Sequence, residues 1–142
     1  MNRFQVVVQH LQQLQQYLQR LYALQSLTRE EVLTDWRAQS QVERNLQLAI
    51  EVVISVAEQM VALLGLPTPE SAGAAIATIA QAGVISPDLG KNLELAVGFR
   101  NILVHNYMEI DYELVYEALQ ENLGQFEQFI EQVTRFIHKQ RG

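Results

Sequence analysis

The sequence predicts an all-α fold, an up-and-down bundle of four main helices with one or two short ones. Three observations carry that expectation. Apolar residues recur at alternating spacings of three and four, as at Phe4, Val7, Leu11, Leu14, Leu18 and Leu21, the period of a helix with one buried face. No period-two run reaches the length of a strand. Proline and glycine are sparse, at three and seven residues, and fall where helix ends belong.

Taken in order, the first helix is expected over roughly 2–26. Its glutamines fill the positions between the apolar ones and read as a solvated face rather than a self-associating segment. Thr28-Arg29-Glu30-Glu31 has the form of a capping box and opens a short helix before Asp35. A long helix follows from Asp35 to Leu64, with Val42, Leu46, Ala49, Ile50, Val53, Ala57, Met60 and Leu64 as its buried stripe. Gly65 and Pro67 end it. Thr68-Pro69 reads as a cap with proline at the first helical position, starting an alanine-rich helix through Gln81 that Gly83 stops. Ser86-Pro87-Asp88 is a second cap of the same kind. Its helix carries Leu93, Ala96, Val97, Arg100 and Leu103 and ends near His105. Asp111 caps a last helix that runs to about Lys139 through Leu114, Val115, Ala118, Leu123, Phe126, Ile130, Val133 and Ile137. Tyr112, Tyr116, Phe126 and Phe129 keep helical spacing and read as core or interface rather than as a base-stacking platform.

The 142 residues suit a single domain over 1–142, and 49% hydrophobic residues supply one core. There is no cysteine, hence neither a disulfide framework nor a thiolate site, which fits a reducing cytoplasm. The N-terminal pattern is broken by glutamine and lacks the apolar run of a signal peptide. Leu46 to Leu66 comes nearest to a membrane span, but it contains Glu51 and Glu58, so it reads as a buried bundle helix. A formal net charge of -6 is not that of an obvious nucleic-acid binder, since phosphate neutralisation drives such binding. Any RNA must then be held by a local basic cleft, and the acidic surface suits a basic protein partner.

The chemistry concentrates in Arg100-Asn101-Ile102-Leu103-Val104-His105-Asn106-Tyr107. A guanidinium holds a phosphate through a planar fork of donors, and an imidazole moves protons near neutral pH. Five residues apart, Arg100 and His105 differ by roughly 140° around a helix axis, so they share no face of a continuous helix. Either the helix loosens near His105, or two chains pool their groups. The structural alternative is a helix-end histidine, with Arg100 paired to a carboxylate such as Glu94. His10 reads as solvent-facing and His138 as a helix-end residue; with His105 they are too scattered for a metal site. No phosphate loop occurs, and no cofactor is expected. Glu43 and Arg44 on the long helix read as solvated or paired within the chain, with lining of a cleft as the lesser alternative.

The motif Arg-Asn-x-x-x-His-x-Tyr resembles the signature of HepT-type toxins of the HEPN superfamily. Gly98-Phe99 before it, Ile110-Asp111 after it and Val42-Glu43-Arg44-Asn45-Leu46 through Glu51 on the long helix extend the likeness over nearly the whole chain. The resemblance implies a homodimer whose interface forms one composite RNA-cutting cleft. Arg100 maps to the phosphate-binding arginine, His105 to the catalytic histidine, and Asn101 to the supporting polar position. It implies a metal-independent endoribonuclease toxin, with tRNA as the expected substrate class. Its partner would be a minimal nucleotidyltransferase antitoxin that AMPylates Tyr107. The alternative within the same family is a non-catalytic substrate-binding or regulatory subunit of the nucleotidyltransferase.

Overall fold

The structure, a computed structural model, describes residues 2–141. Its elements are α1 (Gln5–Leu24), α2 (Arg29–Thr34), α3 (Trp36–Leu63), α4 (Ala72–Gln81), α5 (Pro87–His105), a single 3-10 turn (Tyr107–Glu109), α6 (Tyr112–Glu121) and α7 (Gly124–Arg141). Among the described residues there is no strand. The long helices α1, α3, α5 and α7 form the bundle, and α3 runs through its centre.

The helices α2 to α6 each begin where a side chain satisfies one of the first free amides. The Thr28 hydroxyl accepts from Glu31 N at 3.1 Å and the Glu31 carboxylate accepts from Thr28 N at 2.9 Å, so both arms of the capping box are made. Asp35 accepts from Arg37 N, Ser86 from Leu89 N and Asp111 from Glu113 N. The apolar stripe of α1 is buried along its whole length, from Phe4 to Leu21. On α3 the expected stripe is buried as far as Met60, and Ala38, Val52, Ile54, Val56 and Val61 join it. A helix wrapped on several sides needs more than one apolar face. That also explains why α3 is long and apolar enough to cross a membrane by composition: its apolar side chains are spent on the core.

Three local expectations are corrected. The alanine-rich helix starts at Ala72, not at Pro69. Ser71, not Thr68, is its cap, accepting from Ala74 N at 3.1 Å. The last helix is two helices, parted at Asn122 and Leu123. The break leaves few amides stranded: Asn122 N donates to Ala118 O, Gln125 N to Asn122 O and Phe126 N to Leu123 O. Across it, Gln25 Nε2 donates to Leu119 O and Gln120 Nε2 to Gln25 O, which ties α6 to the end of α1. Leu114, expected in the core, is 51% exposed.

The packing of α4 on α5 is close at Gly90. A Cβ there would lie 2.9 Å from the Ala80 Cβ, so only glycine lets the two helices approach this far. This contact, with the Ser86 cap, anchors the start of α5. Its other end carries the candidate site.

Candidate functional site at the C-terminal end of α5

The helix α5 does not loosen before His105. Asn106 is its C-cap, with Asn106 N donating to Ile102 O at 3.0 Å. The roughly 140° between Arg100 and His105 therefore holds. The chain then turns through Tyr107–Glu109, closed by Glu109 N donating to Asn106 O at 2.8 Å. Arg100, Asn101 and His105 thus lie on one continuous helix, and Tyr107 lies on the turn that follows it.

The four side chains meet solvent differently. Asn101 and His105 are exposed. Tyr107 is 65% exposed and Met108 beside it 93%. Such a phenol on a short surface turn is open to another protein's active site. Arg100 is half-buried, and its Nε is sealed from solvent without a hydrogen-bond partner. Among the described residues the ion pairs are Arg29–Glu113 and Arg135–Glu131; Arg100 pairs with neither Glu94 nor any other carboxylate. Its guanidinium is thus in no ion pair.

Glu43 is less solvated than expected, and its neighbour within the chain is Tyr112. It is half-buried on α3, and its Oε1 is sealed without a partner. The Tyr112 hydroxyl lies beside it. Burial pushes the Tyr112 phenol well above its ordinary pKa, and hydrogen bonding to Glu43, the Glu43 charge and Tyr107 add to the rise. Tyr112 thus lies beside Glu43, with Tyr107 close enough for its charge to be felt. The sequence signal was present, a glutamate and a tyrosine in apolar helices, but it did not reveal which helices cover them. His10 is also corrected: it is half-buried, its Nδ1 3.2 Å from Gln59 Oε1. His138 is exposed near the end of α7. Among the described residues no three His, Asp or Glu side chains gather as metal ligands.

Beside the motif runs an apolar groove of about 210 Å³ between α3, α5, α6 and α7, lined by Leu46, Ile50, Leu95, Phe99, Leu114 and Phe126. Leu95 is 74% exposed at its rim, and Ile102, two turns further along the same face of α5, is 38% exposed. A surface leucine that open is unusual only when it joins others, and here it does.

The comparisons with known proteins agree with the motif. The profile of the "Ribonuclease HepT-like" family matches residues 5–133. The mRNA nuclease HepT of Shewanella oneidensis is 36% identical over 97 residues, 68% of this chain and 73% of that protein. The tRNA nuclease HepT of Aphanizomenon flos-aquae is 24% identical over 132 residues, 93% of this chain and 90% of that one. Among solved structures, a tri-AMPylated HEPN toxin of Shewanella oneidensis in complex with an MNT antitoxin superposes with a TM-score of 0.85 at 28% identity, covering 92% of this chain and 97% of that one. A toxin–antitoxin complex with AMP-PNP gives a TM-score of 0.83 at 27% identity, covering 90% and 97%. With the family profile spanning α1 to α7 and the arginine, histidine and tyrosine in place, the chain belongs to the HepT-like ribonuclease family.

Proposed function

We propose that this chain is the toxin of a toxin–antitoxin pair, a metal-independent endoribonuclease acting in the cytoplasm as a single helical domain. Its site is completed across a homodimer, and a minimal nucleotidyltransferase antitoxin silences it by AMPylating Tyr107. The observation that carries the reading is the unbroken α5. It keeps Arg100 and His105 on different faces of one helix, so a phosphate meets both most readily where two copies of α5 face each other. The exposed apolar stripe of Leu95, Ile102 and Leu114 is the surface that a second copy would cover.

In that dimer one His105 takes the proton of the RNA 2′-hydroxyl, directly or through a water, as the oxygen attacks the adjacent phosphorus. Arg100 holds the phosphate and stabilises the charge that builds on its oxygens. The second His105 protonates the departing 5′-oxygen. The products are a 2′,3′-cyclic phosphate and a 5′-hydroxyl. DNA, which lacks the 2′-hydroxyl, is not cut. Asn101, exposed one residue from Arg100, supports the substrate. Transfer of AMP from ATP to the Tyr107 oxygen releases pyrophosphate and leaves a phosphodiester anion beside the phosphate site. Its charge and bulk then exclude RNA. The solved relatives support this regulation: one HEPN toxin is described as tri-AMPylated and bound to an MNT antitoxin. tRNA is the expected substrate class, in keeping with one nuclease relative.

The net charge of -6 favours a second reading, a non-catalytic subunit that binds substrate for the nucleotidyltransferase. Expression separates the two. The toxin reading predicts growth arrest that His105→Ala abolishes and the antitoxin relieves. Equal growth with either protein would favour the binding subunit. A dimer with one His105→Ala chain tests the division of labour: its activity should fall well below that of the parent, and undiminished activity would refute the two-histidine mechanism.

A further inference from the structure

Two polar atoms near the site are sealed from solvent and satisfied by nothing, Arg100 Nε and Glu43 Oε1. One is a cationic donor and the other an anionic acceptor. Leaving either buried alone is costly, and natural structures keep few such atoms. Their places in the fold bring them together. Leu46, one turn after Glu43, and Phe99, next to Arg100, line the same groove. Leu114, two residues after Tyr112, lines it too. Tyr112 lies beside Glu43 and within reach of the field of Tyr107, just past the end of α5. Helices α3, α5 and α6 therefore meet along this groove, next to both unpartnered atoms in sequence.

We infer that Glu43 is the positioning residue for Arg100: its carboxylate, held from the α6 side by Tyr112, accepts from Arg100 Nε and aims the guanidinium at the phosphate. The inference rests on the ribonuclease reading for its consequence but not for the contact itself. A guanidinium has five donors in a rigid fork. Engaging Nε from below fixes the plane of the fork and leaves the terminal nitrogens for phosphate oxygens. No ion pair joins the two groups in the single chain, so the contact requires the two side chains to turn toward each other. The charge matters as much as the contact. A carboxylate beneath the cation keeps it in one place when no RNA is bound, and Tyr112 keeps that carboxylate from turning to solvent.

The contact is tested first without activity, by NMR of the 15N-labelled protein. Arg100 Nε–H, assigned by its loss in Arg100→Lys, should exchange slowly with solvent in the parent dimer. In Glu43→Gln it should shift and exchange faster, and in Tyr112→Phe it should move part of the way. An Arg100 Nε–H signal indifferent to Glu43→Gln overturns the inference whatever the enzyme does. The consequence is tested by a mutant cycle on RNA cleavage. Glu43→Gln should lower kcat about 10- to 100-fold, the usual effect of misplacing a catalytic group by a fraction of an ångström to an ångström. In an Arg100→Lys background, which has no Nε to position, the same change should cost less than about twofold. Equal losses in both backgrounds would mark Glu43 as merely structural and overturn the inference. A parent protein that cuts no RNA would instead refute the ribonuclease reading, and the NMR result would still decide the contact.

Discussion

If the proposed homodimer forms through the face that carries Leu95, replacing that residue with aspartate splits the dimer and abolishes cleavage together. Leu95 is 74% exposed in the single chain, so a partner can remove nearly three-quarters of its surface from water. Fully burying a leucine contributes about 1.5–3 kcal/mol, which leaves about 1–2 kcal/mol per copy here. Two-fold symmetry counts the contact twice, giving about 2–4 kcal/mol from this position alone. That corresponds to a dissociation constant raised about 30- to 1000-fold. A buried carboxylate on each side of the axis adds repulsion and desolvation, so these values are lower bounds. The outcome is read by sedimentation equilibrium across a range of protein concentrations, with RNA cleavage measured at the same concentrations. Leu95→Asp should sediment as monomer where the parent is dimer, and its activity should recover only as far as concentration restores the dimer. The substitution lies on the surface of the monomer, so the monomer should stay folded, with a thermal midpoint lowered only by the lost stabilisation of the dimer. A Leu95→Asp protein that stays dimeric and fully active would refute the placement of the interface. A monomeric variant with full activity would refute the composite site itself.

Other expectations are simpler. Tyr107→Phe should accept no adenylate from the antitoxin and ATP by intact mass and should stay toxic when the antitoxin is co-expressed; loss of toxicity would mean the hydroxyl also serves cleavage. Tyr22 donates to Glu127 Oε1 at 2.7 Å, and burial, then this bond and the Glu127 charge, push the phenol from 10.0 up to about 12. Folding favours the neutral phenol, so its contribution is intact below pH 10 and is lost as pH rises toward 12. Thermal midpoints should therefore fall more steeply between pH 10 and 12 in the parent than in Tyr22→Phe, and parallel slopes would contradict this. Gly90→Ala must push α4 away from α5 and should cost about 1–3 kcal/mol, a drop of several degrees in melting temperature; an unchanged midpoint would show that the Gly90–Ala80 approach is slack.

Local chemistry was the legible part of this chain. The six-residue stripe of α1 is buried as its spacing implied, and the Thr28 capping box makes both its bonds. The angle between Arg100 and His105 follows from helix geometry alone. Where tertiary contacts decide, the sequence was mute. Leu119, Leu123 and Phe126 keep spacings of four and three across the break between α6 and α7, so periodicity carries straight through it. Only Asn122 and Gly124 hint at a stop. Thr68 has the form of a cap, yet the helix is capped by Ser71, three residues on. Leu114 has the period of a core residue but falls at the rim of a groove. Glu43 reads as any surface glutamate does, because its burial depends on how α5 and α6 close over α3.

The most direct test of the whole account is cleavage of total tRNA by purified protein, with chelator present, beside His105→Ala. Intact mass should first confirm that neither protein carries AMP. The account predicts that the parent alone cuts RNA and leaves 2′,3′-cyclic phosphate ends. Unmodified, folded, dimeric parent protein that leaves tRNA and total cellular RNA whole would contradict it.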